Sequence, residues 1–195
     1  MKNPIFYLLT LCILFAFTYT SNIPEYYSID SDYSVVIKGT SNVHDWQSTV
    51  EEMKSDVEVS VDGEGILQIR SCELSIPVKS IKSEKGSIMD KKTRKAMKES
   101  EYPNVNFRLT GFNAVDLSRK NFESTVKGDL RIAGVTNPIE FDVKGTYSSS
   151  NNIEIKGSHD LKMTDYGIDP PVALLGAMKT GDDVTVEFKI NLKAD

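Results

Sequence analysis

The sequence is poor in the residues that staple or arm a small protein, with two cysteines, two histidines and one tryptophan in 195 residues. Two cysteines exclude a disulfide framework, and removal of an N-terminal segment containing Cys12 would leave Cys72 with no partner in the chain. Neither His44 nor His159 is followed at zinc-ligand spacing by a second His, Cys or Glu, so no metal site is expected. The G-x-S-x-G elbow, the P-loop, the dinucleotide fingerprint and H-E-x-x-H are all missing, and no cofactor or catalytic residue is expected. Gly63-Glu64-Gly65 is a hairpin signal and carries no phosphate chemistry. Positive charge is not in surplus either. Lys and Arg total 23 against 28 acids, a net −5, which argues against nucleic acid as a partner. What remains is an ordinary globular composition, 39% hydrophobic and 26% charged, of a length that suits one domain with its own core.

Only one long apolar run is present. Met1-Lys2-Asn3 supplies a short positive start, and Ile5 to Phe17 is broken only by Thr10. This is the length of a secretory h-region and short of a membrane span, so residues 1–20 are expected to be a signal peptide and 21–195 the mature domain. Cys12 lies inside the run behind bulky Leu11, which argues against a lipid-modified N-terminus. The expected location is periplasmic or secreted, with no transmembrane segment in the mature chain.

The dominant pattern has a period of two. Val126, Gly128, Leu130 and Ile132 alternate with polar residues; after a turn over 134–138, Ile139, Phe141, Val143 and Gly145 do the same. Ile153, Ile155 and Gly157 follow, then Val184, Val186, Phe188, Ile190 and Leu192. Earlier sets are Tyr33, Val35, Ile37; Val57, Val59, Val61; and Val105, Phe107, Leu109, with a further strand expected over Trp46–Met53. Each set gives a strand one dry and one wet face, as in an antiparallel sheet. In the run from Leu67 the phase slips by one residue near Arg70-Ser71, which is what a β-bulge does. Cys72 falls in phase with Leu74, Ile76 and Val78 and is expected in the core. Ser87-Ile88-Met89-Asp90 has the form of a capping box, predicting a helix that runs to about Lys98 and is stopped by Tyr102-Pro103. The expected class is therefore all-β, an antiparallel barrel of about eight strands with one short α-helix crossing outside; closure removes the sheet edges. A barrel of that size is either filled by side chains or holds one small ligand.

Two loops stand out. Thr40 to Trp46 puts the only tryptophan beside His44 and Asp45, either at the mouth of an apolar site or as a plug. In Met163–Gly181, Asp169 and Pro170 are suited to open a one-turn helix, and the apolar residues after them, Leu174 and Leu175 included, form either a lid or a core plug. His159 shares its phase with Ile153, Ile155 and Leu161 and should point inward.

Several segments together resemble the YceI-like family of exported bacterial proteins. They are Tyr27-Ser28-Ile29-Asp30; Ile76-Pro77-Val78-Lys79-Ser80-Ile81; Met89-Asp90-Lys91-Lys92 through Tyr102-Pro103-Asn104-Val105-Asn106-Phe107; Gly128-Asp129-Leu130-Arg131-Ile132-Ala133-Gly134-Val135-Thr136; and Thr164-Asp165-Tyr166-Gly167-Ile168 with Gly181-Asp182-Asp183-Val184. The resemblance implies a lipocalin-like barrel that binds or carries an amphiphilic lipid, a polyisoprenoid or fatty-acyl chain, in the cell envelope. It implies no catalytic residue and leaves a homodimer open. Asp32-Tyr33-Ser34 departs from the family's usual Asp-x-His-Ser, so no head-group residue is carried over. The expected ligand-facing residues are Val35, Ile37, Trp46, Leu130, Ile132, Phe141, Val143, His159, Leu174, Leu175, Val186 and Phe188. The alternatives are a structural or stress-related periplasmic protein whose barrel is filled and whose outer face binds a protein, or an enzyme using His44 or His159 as a base.

Overall fold

A computed structural model describes residues 25–148, 152–173 and 177–194. The expected signal segment and the loop leucines Leu174 and Leu175 lie outside these residues. In chain order the strands are β1 (Glu25–Ile29), β2 (Ser34–Ser41), β3 (Trp46–Val50), β4 (Lys54–Val61), β5 (Ile66–Pro77) and β6 (Ile81–Ser83). The helix α1 (Ser87–Ala96) follows. Then come β7 (Asn104–Phe112), β8 (Val115–Asp116), β9 (Asn121–Ile132), β10 (Val135–Tyr147), β11 (Asn152–Lys162), β12 (Val172–Ala173) and β13 (Met178–Ala194). Single 3₁₀ turns cover Val78–Ser80 and Thr164–Tyr166.

Eight of these strands close an antiparallel barrel in the order β1-β4-β5-β7-β9-β10-β11-β13, with β13 returning to β1. The long β13 has two partners on one side. Leu192–Ala194 pair with β1 at one end of the barrel, and residues from Thr180 to Lys189 pair with β2, which leads on to β3 and β6. The phase slip in β5 is a true bulge: Glu58 pairs with Ser71 and Val59 with Ile69, leaving Arg70 as the extra residue. Its Nε then donates to Ser60 Oγ at 3.0 Å.

Hairpin geometry corrects two expectations. The β9–β10 turn is only Ala133-Gly134, both at positive φ (48° and 89°), which is the I′ form matched to strand twist. Val135 to Pro138 therefore already belong to β10. The one-turn helix expected at Asp169-Pro170 does not form; Val172 and Ala173 instead pair with Lys179 and Met178 in a small hairpin. Two consecutive prolines place the chain in extended backbone here.

The capping box is also corrected. Gly86, at φ 82°, is the N-cap and Ser87 is the first helical residue, with no side-chain cap. Asp90 turns away from the helix start and accepts a hydrogen bond from Ser83 N at 2.8 Å, tying α1 to β6. α1 is also shorter than expected, ending at Ala96.

At one end of the barrel the interior is solid. Val59, Leu67 and Ile153 are 0% exposed and pack with Tyr27, Phe122 and Leu192. Val115 of β8 pairs with Leu67 and closes the floor. Inward glycines make room for rings along the barrel wall. A Cβ on Gly145 would collide with the ring of its cross-strand partner Phe122, and one on Gly157 with Phe188. Outward residues carry charge pairs such as Lys38–Glu187 and Lys127–Glu140, exposed and individually worth little.

Candidate functional site

Above the floor the inward faces do not meet. They enclose a cavity of about 570 Å³, within the ~300–1,000 Å³ typical of small-molecule sites. Ten of the sequence-predicted residues line it. They are Val35 and Ile37 of β2, Trp46 of β3, Leu130 and Ile132 of β9, Phe141 and Val143 of β10, His159 of β11, and Val186 and Phe188 of β13. The strand period brings them together, because alternate residues on every wall point the same way.

The period also marked residues that belong to the wall without being singled out: Leu74 and Ile76 of β5, and Val105, Phe107 and Leu109 of β7. Cys72 is one of them. It is not sealed in a packed core but half-buried against the cavity, and its thiol is free. Burial first, then the nearby Asp56 and Glu73 carboxylates, push the Cys72 pKa up to about 12, so the thiol stays protonated and unreactive. Met89 and Ala96 of α1, and Met97 just after it, are apolar residues of this otherwise basic segment. They face the cavity, so α1 covers part of its open end.

That end is the polar one. Ser41, His44, Ser83, Lys85, Thr93 and Thr180 line it. Several of these groups are already engaged. Ser41 Oγ donates to His44 O at 2.7 Å, Ser83 Oγ accepts from Lys85 N at 3.2 Å, and the Trp46 indole N–H donates to Thr40 O at 3.0 Å. The indole lies flat against Gly39, where a Cβ would clash with it, so Trp46 is both wall and packing element. Among the described residues, the large hydrophobic side chains exposed to solvent are Val43, Ile88 and Val172, each next in sequence to a residue that lines the cavity.

The wall has a weak joint between β10 and β11. β10 and β11 pair only from Val143↔Gly157 to Tyr147↔Ile153. Beyond that the two strands part, and the next inward pair, Phe141 and His159, meets through its rings at 5.6 Å between centroids. Burial holds the His159 pKa below its ordinary value of 6.5, opposed by the neighbouring Asp160 carboxylate. Outside this seam lies a second hollow of about 490 Å³ whose walls include Glu140, Asp160 and Asp165. Ile139, His159, Leu161 and Tyr166 border both spaces. Asn137 Nδ2 donates to Asp165 O at 2.9 Å and pins the 3₁₀ turn across the seam. Among the described residues, no three His, Cys, Asp or Glu side chains gather as a metal site would require.

Solved structures share this architecture at low identity. BcnA of Burkholderia cenocepacia is 16% identical with a TM-score of 0.64, over 84% of this chain and 99% of its own. A polyisoprenoid binding domain from Saccharophagus degradans, implicated in plant cell wall breakdown, is 15% identical with a TM-score of 0.66, over 88% and 99%. A Campylobacter jejuni YceI protein is 15% identical with a TM-score of 0.57, over 74% and 82%. No curated protein matches the sequence. The YceI-like domain matches residues 27–192, the barrel from its first strand to its last. The chain belongs to the YceI-like domain family.

Proposed function

We propose that this protein binds and carries an amphiphilic lipid, its polyisoprenoid or fatty-acyl chain lying in the barrel, and that it does so in the cell envelope after export. The observation that carries the reading is the hollow apolar interior of about 570 Å³. Each methylene moved from water onto such a lining contributes roughly 0.8 kcal/mol, so a long chain gains far more than a compact solute. Family membership supports the same reading, as does the fold shared with a domain described as polyisoprenoid binding. Binding, not bond chemistry, is the role: the Cys72 thiol is held protonated, and the His159 ring packs tilted against Phe141 in an apolar seam. The filled-barrel alternative requires an interior that these strands do not have. Mass spectrometry of solvent extracts from gently purified protein tests the proposal. A stoichiometric long-chain amphiphile is expected; no extracted lipid, with no uptake of added prenyl or acyl chains, would refute it.

A further inference from the structure

The cavity wall is almost wholly apolar, and among the described residues Lys85 is the one side chain on it with a permanent charge. No aspartate, glutamate or arginine among the described residues borders the space. We infer that the lipid carried here has an anionic head, a carboxylate or a phosphate, and that Lys85 is the residue that selects it. The inference rests on the carrier reading and specifies the ligand class.

Placement supports it. Ser83 pairs with Ser48 across β3 and β6, and Glu84 N donates to Gln47 O at 3.3 Å. The strand-like run thus continues past the ladder and sets Lys85 beside Trp46 at the mouth. Ser83 Oγ accepts from the Lys85 backbone and keeps its own proton to donate. His44 and Thr93 are further polar residues on the cavity wall. A negative head buried against hydrocarbon is costly unless paired, and a charge-assisted contact to an ammonium is the strong form of pairing. The competing partner is weak: Lys85 Nζ lies 3.5 Å from Glu84 Oε1, with both side chains exposed to solvent. The hollow outside the β10–β11 seam offers an anionic head no such partner: its described walls hold Asp160, Asp165 and the Lys127-paired Glu140, and no Lys or Arg.

Binding of palmitate, hexadecyl phosphate and hexadecanol to the wild type, Lys85→Gln and Lys85→Glu tests this, read by native mass spectrometry and Trp46 fluorescence. The three probes share one chain, so hexadecanol reports the carrier reading alone. The wild type should bind the ionised probes about tenfold more tightly than the alcohol. Lys85→Gln should remove most of that advantage and Lys85→Glu reverse it, with hexadecanol affinity unchanged. Preference for palmitate over hexadecyl phosphate, or the reverse, identifies the head. Equal binding of all three by the wild type, or an advantage that survives Lys85→Gln, overturns the assignment. Failure of every probe, hexadecanol included, overturns the carrier reading and this assignment together.

Discussion

Leu67 and Leu74 lie on one strand, β5, with a bulge between them, yet they meet different surroundings. Leu67 is 0% exposed in a floor sealed by Val115 and Ile153, whereas Leu74 borders empty space. The same contrast holds on β13 between Leu192, buried against Tyr27, and Val186, which lines the cavity. Both ends are built from alternating apolar residues. They differ in what is placed across from them. The floor has fully buried aliphatic side chains facing one another and the extra strand β8, which pairs with β5 where β5 and β7 have parted. The upper part substitutes β2, β3 and β6 for β1 and β4, ends its sheet path at β6 under α1, and lets β10 and β11 part. Alternation thus fixes which way a side chain faces. What lies opposite decides whether that face is packed or left lining a hollow.

The sharpest way to break this comparison is a matched pair of truncations. Leu67→Ala should cost about 3 kcal/mol, since it opens a new void in a tight floor, and Leu130→Ala about 1 kcal/mol, since its neighbourhood is already hollow. Urea unfolding with an unchanged slope reads both; equal losses would mean that the upper space collapses in solution. A smaller effect follows from adding bulk. Leu130→Phe should shift stability by under about 1 kcal/mol, where a packed core would lose roughly 1–3 kcal/mol, and it should lower uptake of a long-chain probe severalfold. Chain uptake at the wild-type level would show that the probe binds elsewhere. The smallest effect is a pH dependence. His159 binds its proton less readily when folded, so the unfolded chain takes up more protons below about pH 6.5 and stability falls as pH drops through that range. His159→Gln should flatten that part of a melting-temperature profile; an unchanged slope would place the titration in another group.

Much of this was legible in the residues. The bulge at Arg70 showed as a change of phase, nine cavity-lining side chains followed from period two, and Trp46 stood out in the loop before β3. The helix start was misread because Ser87-x-x-Asp90 fits a capping box, whereas Gly86 at positive φ begins the turn and Asp90 is drawn to Ser83 N across α1 and β6, a contact invisible along the chain. Lys85 was missed for a similar reason. In sequence it belongs to a charged turn, Lys82-Ser83-Glu84-Lys85, and only the β3–β6 ladder turns it toward the interior. The hollow itself leaves no local signal, because a residue facing a void and one facing a neighbour share the same spacing.

The parting of β10 and β11 sets how the barrel meets occupants of different girth. A cylinder laced by backbone bonds all round has its circumference fixed by strand number and stagger. Here the β10–β11 lacing stops short, and over that stretch the staves touch through Phe141 and His159, with a further tie from Asn137 to the Asp165 carbonyl. Swelling there breaks side-chain contacts while every ladder stays whole, so capacity is adjustable beside the cavity and the floor need not move.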